Sequence, residues 1–516
     1  MHIRSLRFYE SITAILTWAT LVGMVVFSWL LPFWVSIFII LFDTYWLLKT
    51  IYLSFHLRAT FNAMRTNIRE KWLDKIRALP ARETSWQDIY HLVILPMYDE
   101  PYEVVRESFQ SLARANYPKD KFIVVLALEG RAGDAVQETG RRIEEEFGNL
   151  FHKFLITTHP ANLPGEIPGK GSNEAWAGAR VKNEVIDVLK IDYKNILVSV
   201  FDIDTQVPAE YFGRLVYVFL TTADPLRAIY QPIPIFTNNI HEAPALARVV
   251  SFSCTFWQMM QQSRPERLTS FSSQSIPFQT LLDIGYWQKD IVSEDSRIFW
   301  QGFFRYQSEF RVEPLFFPVY MDAPIAPTFW GALKNIYKQQ RRWAWGAENV
   351  PFLLNGFAQD AARDKVSGQK RKIQRRKRWY WTFNAIEGYH SWATNSLIIF
   401  ALGWLPIFLG GRRFGTSLLA YNLPHITRFI ILLSMIGVAS SAILAVLLLP
   451  PREGGTGAGR YAMYVLQWLL MPFTLIIFGA IPGIEAQTRL MLGGKYRLGF
   501  WVTPKGRNLK SATKSV

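Results

Sequence analysis

The sequence predicts a mostly parallel α/β sheet domain set between membrane-spanning helices. Three observations predict it. Long apolar runs occupy both ends of the 516-residue chain. Between them, short apolar runs alternate with segments of helical spacing. The distinctive polar residues of that middle region fall where the apolar runs end, which is where an open parallel sheet collects ligands.

Composition agrees with the membrane part of this expectation. Half of the residues are hydrophobic and 15% are aromatic, yet the net charge is +16. That mixture fits a membrane protein with basic cytoplasmic surfaces better than a soluble basic protein. The single cysteine, Cys254, excludes an internal disulfide framework. It reads as a small buried residue in a reducing compartment, with no histidine in its local sequence to activate it.

The first element is a membrane hairpin within residues 1–57. Ser11 to Leu31 and Phe33 to Leu53 are apolar runs joined at Pro32, each near the ~20 residues that cross a bilayer as a helix. Positive charge lies on both flanks: Arg4 and Arg7 before, and Arg58, Arg65, Arg69, Lys71, Lys75 and Arg77 after. Both ends therefore belong on the cytoplasmic side. The first run is too long for a signal-peptide core and lacks a cleavage site, so it is retained.

The second element, residues 85–325, is the α/β domain. Its strand candidates are "HLVILPM", "KFIVVLALE", "KFLITT", "NILVSVF" and "PLRAIYQP", with helical spacing over Val104 to Ala115. Tyr98, Asp99 and Glu100 follow the first run, Glu129 ends the second, and Asp202 and Asp204 follow the fourth. No dinucleotide fingerprint, P-loop or internal repeat is present.

The carboxylates carry the chemistry. Asp202 and Asp204 in "FDID" sit two apart after a buried strand; in an extended chain they project to one side. Mg²⁺ or Mn²⁺ takes one or two such carboxylates and completes its shell with phosphates and water. Glu294 and Asp295 in "SED" support two readings. One is ordinary capping, with Ser293 as N-cap and acids in the first helical turn. The other makes one of them a general base. "PGKGSN" is a glycine-rich turn before a helix, where Lys170 and Asn173 are placed to hold a phosphate or sugar.

The third element, residues 326–380, begins with a helix from Thr328 to Trp345, which Gly346 is expected to end. Gln339, Arg342 and Trp343 fall on its domain-facing side; Arg341 falls on the other, facing solvent or lipid. Arg363 to Arg378 holds nine Lys or Arg against one Asp. Beside membrane helices, such a run favours anionic lipid over nucleic acid. The fourth element, residues 381–485, supplies three to four crossings: Trp392 to Leu409, Ile426 to Leu449, Ala462 to Pro482, and a polar stretch, Trp379 to Ser391, that suits a broken or interfacial segment. Residues 486–516 form a tail with seven Lys or Arg and no acid, which argues for the cytoplasmic side.

The ordered motifs "LPMYDEP", "PGKGSN", "FDID", "SED" and "QQRRW" resemble those of the membrane-integrated family 2 glycosyltransferases, which include the cellulose, chitin and hyaluronan synthases. The resemblance spans nearly the whole chain and implies a Rossmann-like GT-A catalytic domain within a multi-pass membrane protein of the inner or plasma membrane. It also implies site roles. Tyr98, Glu100 and Glu129 would line the nucleotide pocket, with Asp202 on the nucleotide and Asp204 on Mg²⁺ or Mn²⁺. Lys170 and Asn173 would hold the donor, with a UDP-sugar favoured. Asp295 would be the base and Glu294 its neighbour. Gln339, Arg342 and Trp343 would hold the diphosphate and the acceptor sugar.

Two departures stand out: Asp99 replaces the family's usual Asn, and Glu129 stands where the family is Asp-rich, which bears on the uridine preference. The implied reaction is inverting, metal-dependent transfer to a growing polysaccharide that leaves through the protein's own helices. The same chemistry on a ceramide or polyprenyl lipid is the nearest alternative. A non-catalytic export subunit or sensor is more remote, since it would predict a decayed motif.

Overall fold

The computed structural model describes residues 3–80, 84–367, 373–451 and 457–506. Its first two helices, α1 (Ile3–Leu30) and α2 (Pro32–Ile68), form the expected hairpin. Pro32 starts α2 at a position where its missing N–H costs nothing. Helix α2 is 37 residues long and runs well past the apolar run that announced it. Its last turns are part of the α/β core: Leu57, Phe61 and Met64 pack in one buried cluster with Ile233, Ile235 and Phe252.

A seven-stranded sheet follows, ordered β3-β2-β1-β4-β6-β5-β7. Its strands are β1 (Tyr90–Met97), β2 (Phe122–Glu129), β3 (Lys153–His159), β4 (Ile196–Val200), β5 (Ala228–Phe236), β6 (Ser275–Pro277) and β7 (Arg311–Met321). The β1–β2, β2–β3, β1–β4 and β5–β7 pairs are parallel; short β6 is antiparallel to both neighbours. Every residue of β2 and β4 is buried. Such strands read as unbroken apolar runs because helices cover both faces of the sheet. Strand β1 lies between β2 and β4, so the strand order reverses there and a crevice opens at the carboxyl ends.

Two strands escaped the sequence pattern. Strand β6 has three residues, too few to show alternation. Strand β7 contains Pro314 and Pro318, which ordinarily argue against a strand. It sits at the sheet edge, and its register with β5 shifts between Gln231 and Ile233.

Beyond the sheet, the expected break near Trp379 to Ser391 is absent. The helix Arg375–Phe400 passes straight through that stretch and bends by 48° only after Phe400, into Leu402–Leu409. The polar side chains are accommodated by partners: Glu387 accepts from Lys49 at 2.8 Å, and His390 lies 2.9 Å from the Thr20 hydroxyl. Four segments are long and apolar enough to cross a membrane: Leu6–Leu30, Pro32–Ile68, Leu418–Leu447 and Ala458–Leu492; the bent pair makes a fifth. Of the basic run at residues 363–378, only the part from residue 373 is described at side-chain level. There Arg375 and Arg376 are exposed, whereas Arg378 pairs with Asp360.

Candidate active site

The crevice at β1 and β4 holds the polar residues singled out in the sequence. Strand β1 delivers Tyr98 and Glu100. The backbone N–H of Tyr98 donates to Glu100 at 2.8 Å, and burial pushes the Glu100 carboxyl up to about 7. Strand β2 delivers Glu129, which pairs with Arg131 at 2.5 Å. The Arg131 guanidinium in turn lies 4.4 Å over the Tyr98 ring.

After β4 the chain turns at once: Thr205 N–H donates to Asp202 C=O at 2.8 Å. Asp202 and Asp204 are therefore on a turn rather than an extended segment, and their carboxylates diverge. Asp202 lies 2.9 Å from the Lys170 ammonium and accepts from the Ser272 hydroxyl at 2.8 Å. Asp204 is fully buried; one oxygen accepts from the Asp322 N–H at 2.8 Å and from the Lys505 ammonium at 2.7 Å. Its other oxygen has no hydrogen-bond partner.

Lys170 opens the helix Lys170–Val181 and is the hub of the site. Its ammonium lies 2.9 Å from Asp295, 2.9 Å from Asp202 and 3.5 Å from Glu174. Burial alone would lower its pKa, but these carboxylates hold it well above its ordinary value. Asn173, one turn on, is placed differently from expectation. It is fully buried and its amide donates to Ala127 C=O at 2.7 Å, anchoring the helix to β2.

The helix Glu294–Arg305 brings in the other acids. Ser293 precedes it but gives its hydroxyl to Glu348 at 2.6 Å, so side-chain capping is not its role. Glu174, Glu294 and Asp295 place carboxylate oxygens within 4.8 Å of one another. Burial, then repulsion from Asp295, pushes Glu294 up to about 8; burial also raises Glu174 and Asp295. Asp202 goes the other way: burial would raise it, but Lys170 and Lys505 hold it well below the usual carboxylate range. Asp295 is partly exposed toward the cavity, whereas Glu294 and Glu174 are sealed behind it.

The helix Phe329–Ala344 forms the opposite wall. Thr328 caps it, accepting from Gly331 N–H at 3.1 Å. Gly346 does not end it. A tighter turn, Trp345–Glu348, leads directly into the helix Asn349–Ser367. Gly346 instead allows a close approach: a Cβ there would lie 2.7 Å from the Tyr389 hydroxyl. Gln339, Arg342 and Trp343 all line the cavity, Trp343 between Phe236 and Phe271. Arg341 does point away from the cavity, but onto protein rather than solvent or lipid: it pairs with Glu485 at 2.6 Å.

One cavity of about 930 Å³ joins these residues to the membrane helices. At one end its wall is Lys170, Asp202, Asp204 and Asp295; at the other it includes Asn395, Ser434, Ser441 and Thr474. Cys254 is also in the wall, with its thiol pushed up to about 12 by burial, too high for a nucleophile at neutral pH.

No protein-family model and no curated protein matches the chain. Among solved structures, the chain is similar to a mannosyltransferase of Pyrobaculum calidifontis in complex with GDP-Man and Mn²⁺. That match has 15% identity and a TM-score of 0.39, over 83% of this chain and 97% of that one. It is also similar to residues 1–349 of Staphylococcus aureus TarS in complex with UDP-GlcNAc, at 14% identity and a TM-score of 0.35, over 79% and 93%. Both likenesses are too distant to decide what this chain does.

Sequence reasoning missed part of the site. Lys505, Thr503 and Phe500 come from the tail and line the same cavity. Phe500 lies 4.6 Å from the Arg342 guanidinium and fills the space above Gly169, where a Cβ would come within 2.6 Å of its ring. Gly169 has φ of 154°. Nothing local in "FWVTPKG" announces this, because its partners are more than 150 residues away. Glu174 and Ser272 were also missed. Glu174 had one available signal, its position one helical turn after Lys170.

Proposed function

We propose that the chain transfers a sugar from a nucleotide-sugar donor to a glycan, and that the glycan leaves through the membrane part of the same cavity. The continuity of that cavity, from the carboxylate cluster to the apolar helices, is the observation that carries this reading. A soluble-donor enzyme has no need of hydroxyl-lined space among its membrane helices. Polar groups at membrane depth are costly and ordinarily face a functional cavity.

In this reading the donor base enters beside Tyr98 and Glu129, and its diphosphate lies between Asp204 and Arg342. Asp295 accepts the proton of the acceptor hydroxyl; the freed oxygen attacks the anomeric carbon, and the bond to the diphosphate breaks. Direct displacement of this kind inverts the anomeric configuration. Glu294 and Glu174, protonated at neutral pH, keep Asp295 the ionised member of its cluster. Trp343 offers a stacking face to the acceptor ring.

The residues fit a hard divalent cation. Asp204 offers a buried oxygen without a partner, and its other oxygen already sits on a positive charge, that of Lys505. Asp204, with Asp202, would hold Mg²⁺ or Mn²⁺, which when bound neutralises the diphosphate leaving group.

The contacts of the last helices support an even number of crossings. The segment Ala458–Leu492 starts where Tyr464 meets His241 and ends where Arg7 reaches Met491 C=O, both on the side of the α/β domain. Midway, Leu475 C=O meets Ser396. We read this segment as a dip into the membrane that returns to its own side. That reading leaves four crossings and puts the tail beside the active site, on the side that the positive charges assign to the cytoplasm.

Incubation of membranes with a panel of labelled nucleotide sugars tests the activity. One donor is expected to give incorporated label in the wild type and none in Asp295→Asn. Equal incorporation by both proteins would reject the assignment of the base.

A further inference from the structure

Where the cavity passes from the α/β domain into the membrane helices, its charges do not balance. Lys49 of α2 donates to Glu387 at 2.8 Å, and Arg267 lies 3.7 Å from the other oxygen of the same carboxylate. Two cations thus share one acid. Arg264, three residues before Arg267, also lines the cavity. It is only 5% exposed, and its Nε has no acceptor. Among the described residues it has no acidic ion-pair partner; its guanidinium lies 5.6 Å from the Tyr52 ring centre.

A buried guanidinium without a carboxylate is costly, and proteins ordinarily pair it or solvate it. Here three cations converge on one carboxylate, leaving an excess of positive charge on the wall along which the glycan of the proposed reaction would travel. A neutral polyhydroxyl chain is served by hydroxyls, amides and aromatic faces, and has no use for that excess. A planar guanidinium matches a carboxylate or phosphate through two parallel N–H···O bonds.

We propose that Arg264, with Arg267 and Lys49, forms an anion subsite for the product, so that the exported glycan carries carboxylate or phosphate groups. The proposal rests on the glycosyltransferase reading and names the class of polymer. Glu387 keeps Lys49 and Arg267 in place, and Arg264 supplies the free fork. A membrane lipid phosphate shares this chemistry, but Arg264 is reached from inside the cavity rather than from the lipid-facing surface.

The test uses the full-length protein in detergent, with three probes: a hexamer of a hexuronic acid, a hexamer of glucose, and glycerol phosphate as a lipid-headgroup mimic. Binding of the uronate hexamer is expected to exceed that of the glucose hexamer by about tenfold and to weaken with added salt. Arg264→Gln is expected to remove that preference, and Arg264→Lys to restore part of it. Melting temperatures establish that each variant folds; if Arg264→Gln does not, Arg267→Gln reports on the same preference. Equal binding of the two hexamers, or a preference untouched by Arg264→Gln, would overturn the proposal. Glycerol phosphate competing as strongly as the uronate hexamer would assign the subsite to a lipid and overturn it too. Nucleotide-sugar binding by the wild-type protein is measured in parallel. If that is absent, the glycosyltransferase reading has failed; if it is present without acidic preference, only the subsite has.

Discussion

The Lys505 ammonium lies 2.7 Å from a carboxylate oxygen of Asp204, although the two residues are 301 positions apart in the chain. The tail thereby puts a positive charge on the carboxylate proposed to hold the divalent cation. Burial would lower the Lys505 pKa, but Asp204, Asp202 and Asp322 raise it, so the charge is retained at neutral pH. Tail and metal compete for one oxygen.

That competition is measurable. Lys505→Ala is expected to bind Mn²⁺ more tightly than the wild type, by about tenfold, since the metal no longer displaces a paired ammonium. Gly169→Ala is expected to act in the same direction, because its new methyl group collides with the Phe500 ring and unseats the tail. Mn²⁺ titration followed by electron paramagnetic resonance reads both. Unchanged affinity in Lys505→Ala would mean that the metal binds elsewhere. Chelation of divalent cations is expected to abolish transfer by the wild type.

Asp295→Asn is expected to retain nucleotide binding and to lose transfer by about 10²–10⁴-fold, the usual contribution of a positioned base. Calorimetric nucleotide binding and a single-turnover rate separate the two effects. Loss of nucleotide binding with an unchanged single-turnover rate would place Asp295 in the binding pocket alone.

Glu294 gives the fold a pH dependence of defined sign. Its carboxyl is raised from an ordinary 4.5 to about 8, so the folded protein holds that proton more tightly than the unfolded chain. Its contribution to stability is therefore full below about 4.5 and is lost as pH rises toward 8. Glu294→Gln, which cannot ionise, is expected to lose less thermal stability than the wild type between those limits. Melting curves of both proteins across the interval provide the check, and parallel curves would show that Glu294 is not protonated in the fold.

The two adjacent arginines are expected to respond differently. Arg342 faces the cavity with its Nε unpaired, whereas Arg341 is held by Glu485. Arg342→Lys is expected to depress transfer strongly, since an ammonium cannot reproduce the planar fork. Arg341→Lys is expected to leave transfer near normal and to cost about 0.2–1 kcal/mol of stability. Equal kinetic effects would exclude a special role for Arg342.

The fold was legible wherever burial wrote a pattern. Strands β1, β2 and β4 are buried and read as apolar runs. The hairpin was announced by length and flanking charge. Strand β7 was hidden by its two prolines and β6 by its brevity. At the site, Tyr98, Glu129, Lys170, Asp202, Asp204, Asp295, Gln339, Arg342 and Trp343 all line one cavity. Asn173 does not, because its amide is committed to Ala127 C=O. Gly346 read as a helix stop, yet its need is tertiary, the nearby Tyr389 hydroxyl. The seating of Lys505 depends on contacts between distant segments, which no local pattern encodes.

The central claim is that sugar transfer and glycan passage share one cavity. Its most direct test is the size of the labelled product made by sealed vesicles with the α/β domain facing outward. The account predicts a ladder or high-molecular-weight glycan that resists added glycosidase until detergent opens the vesicles. Label confined to an organic-soluble monoglycosyl lipid, or a glycan digested without detergent, would contradict it.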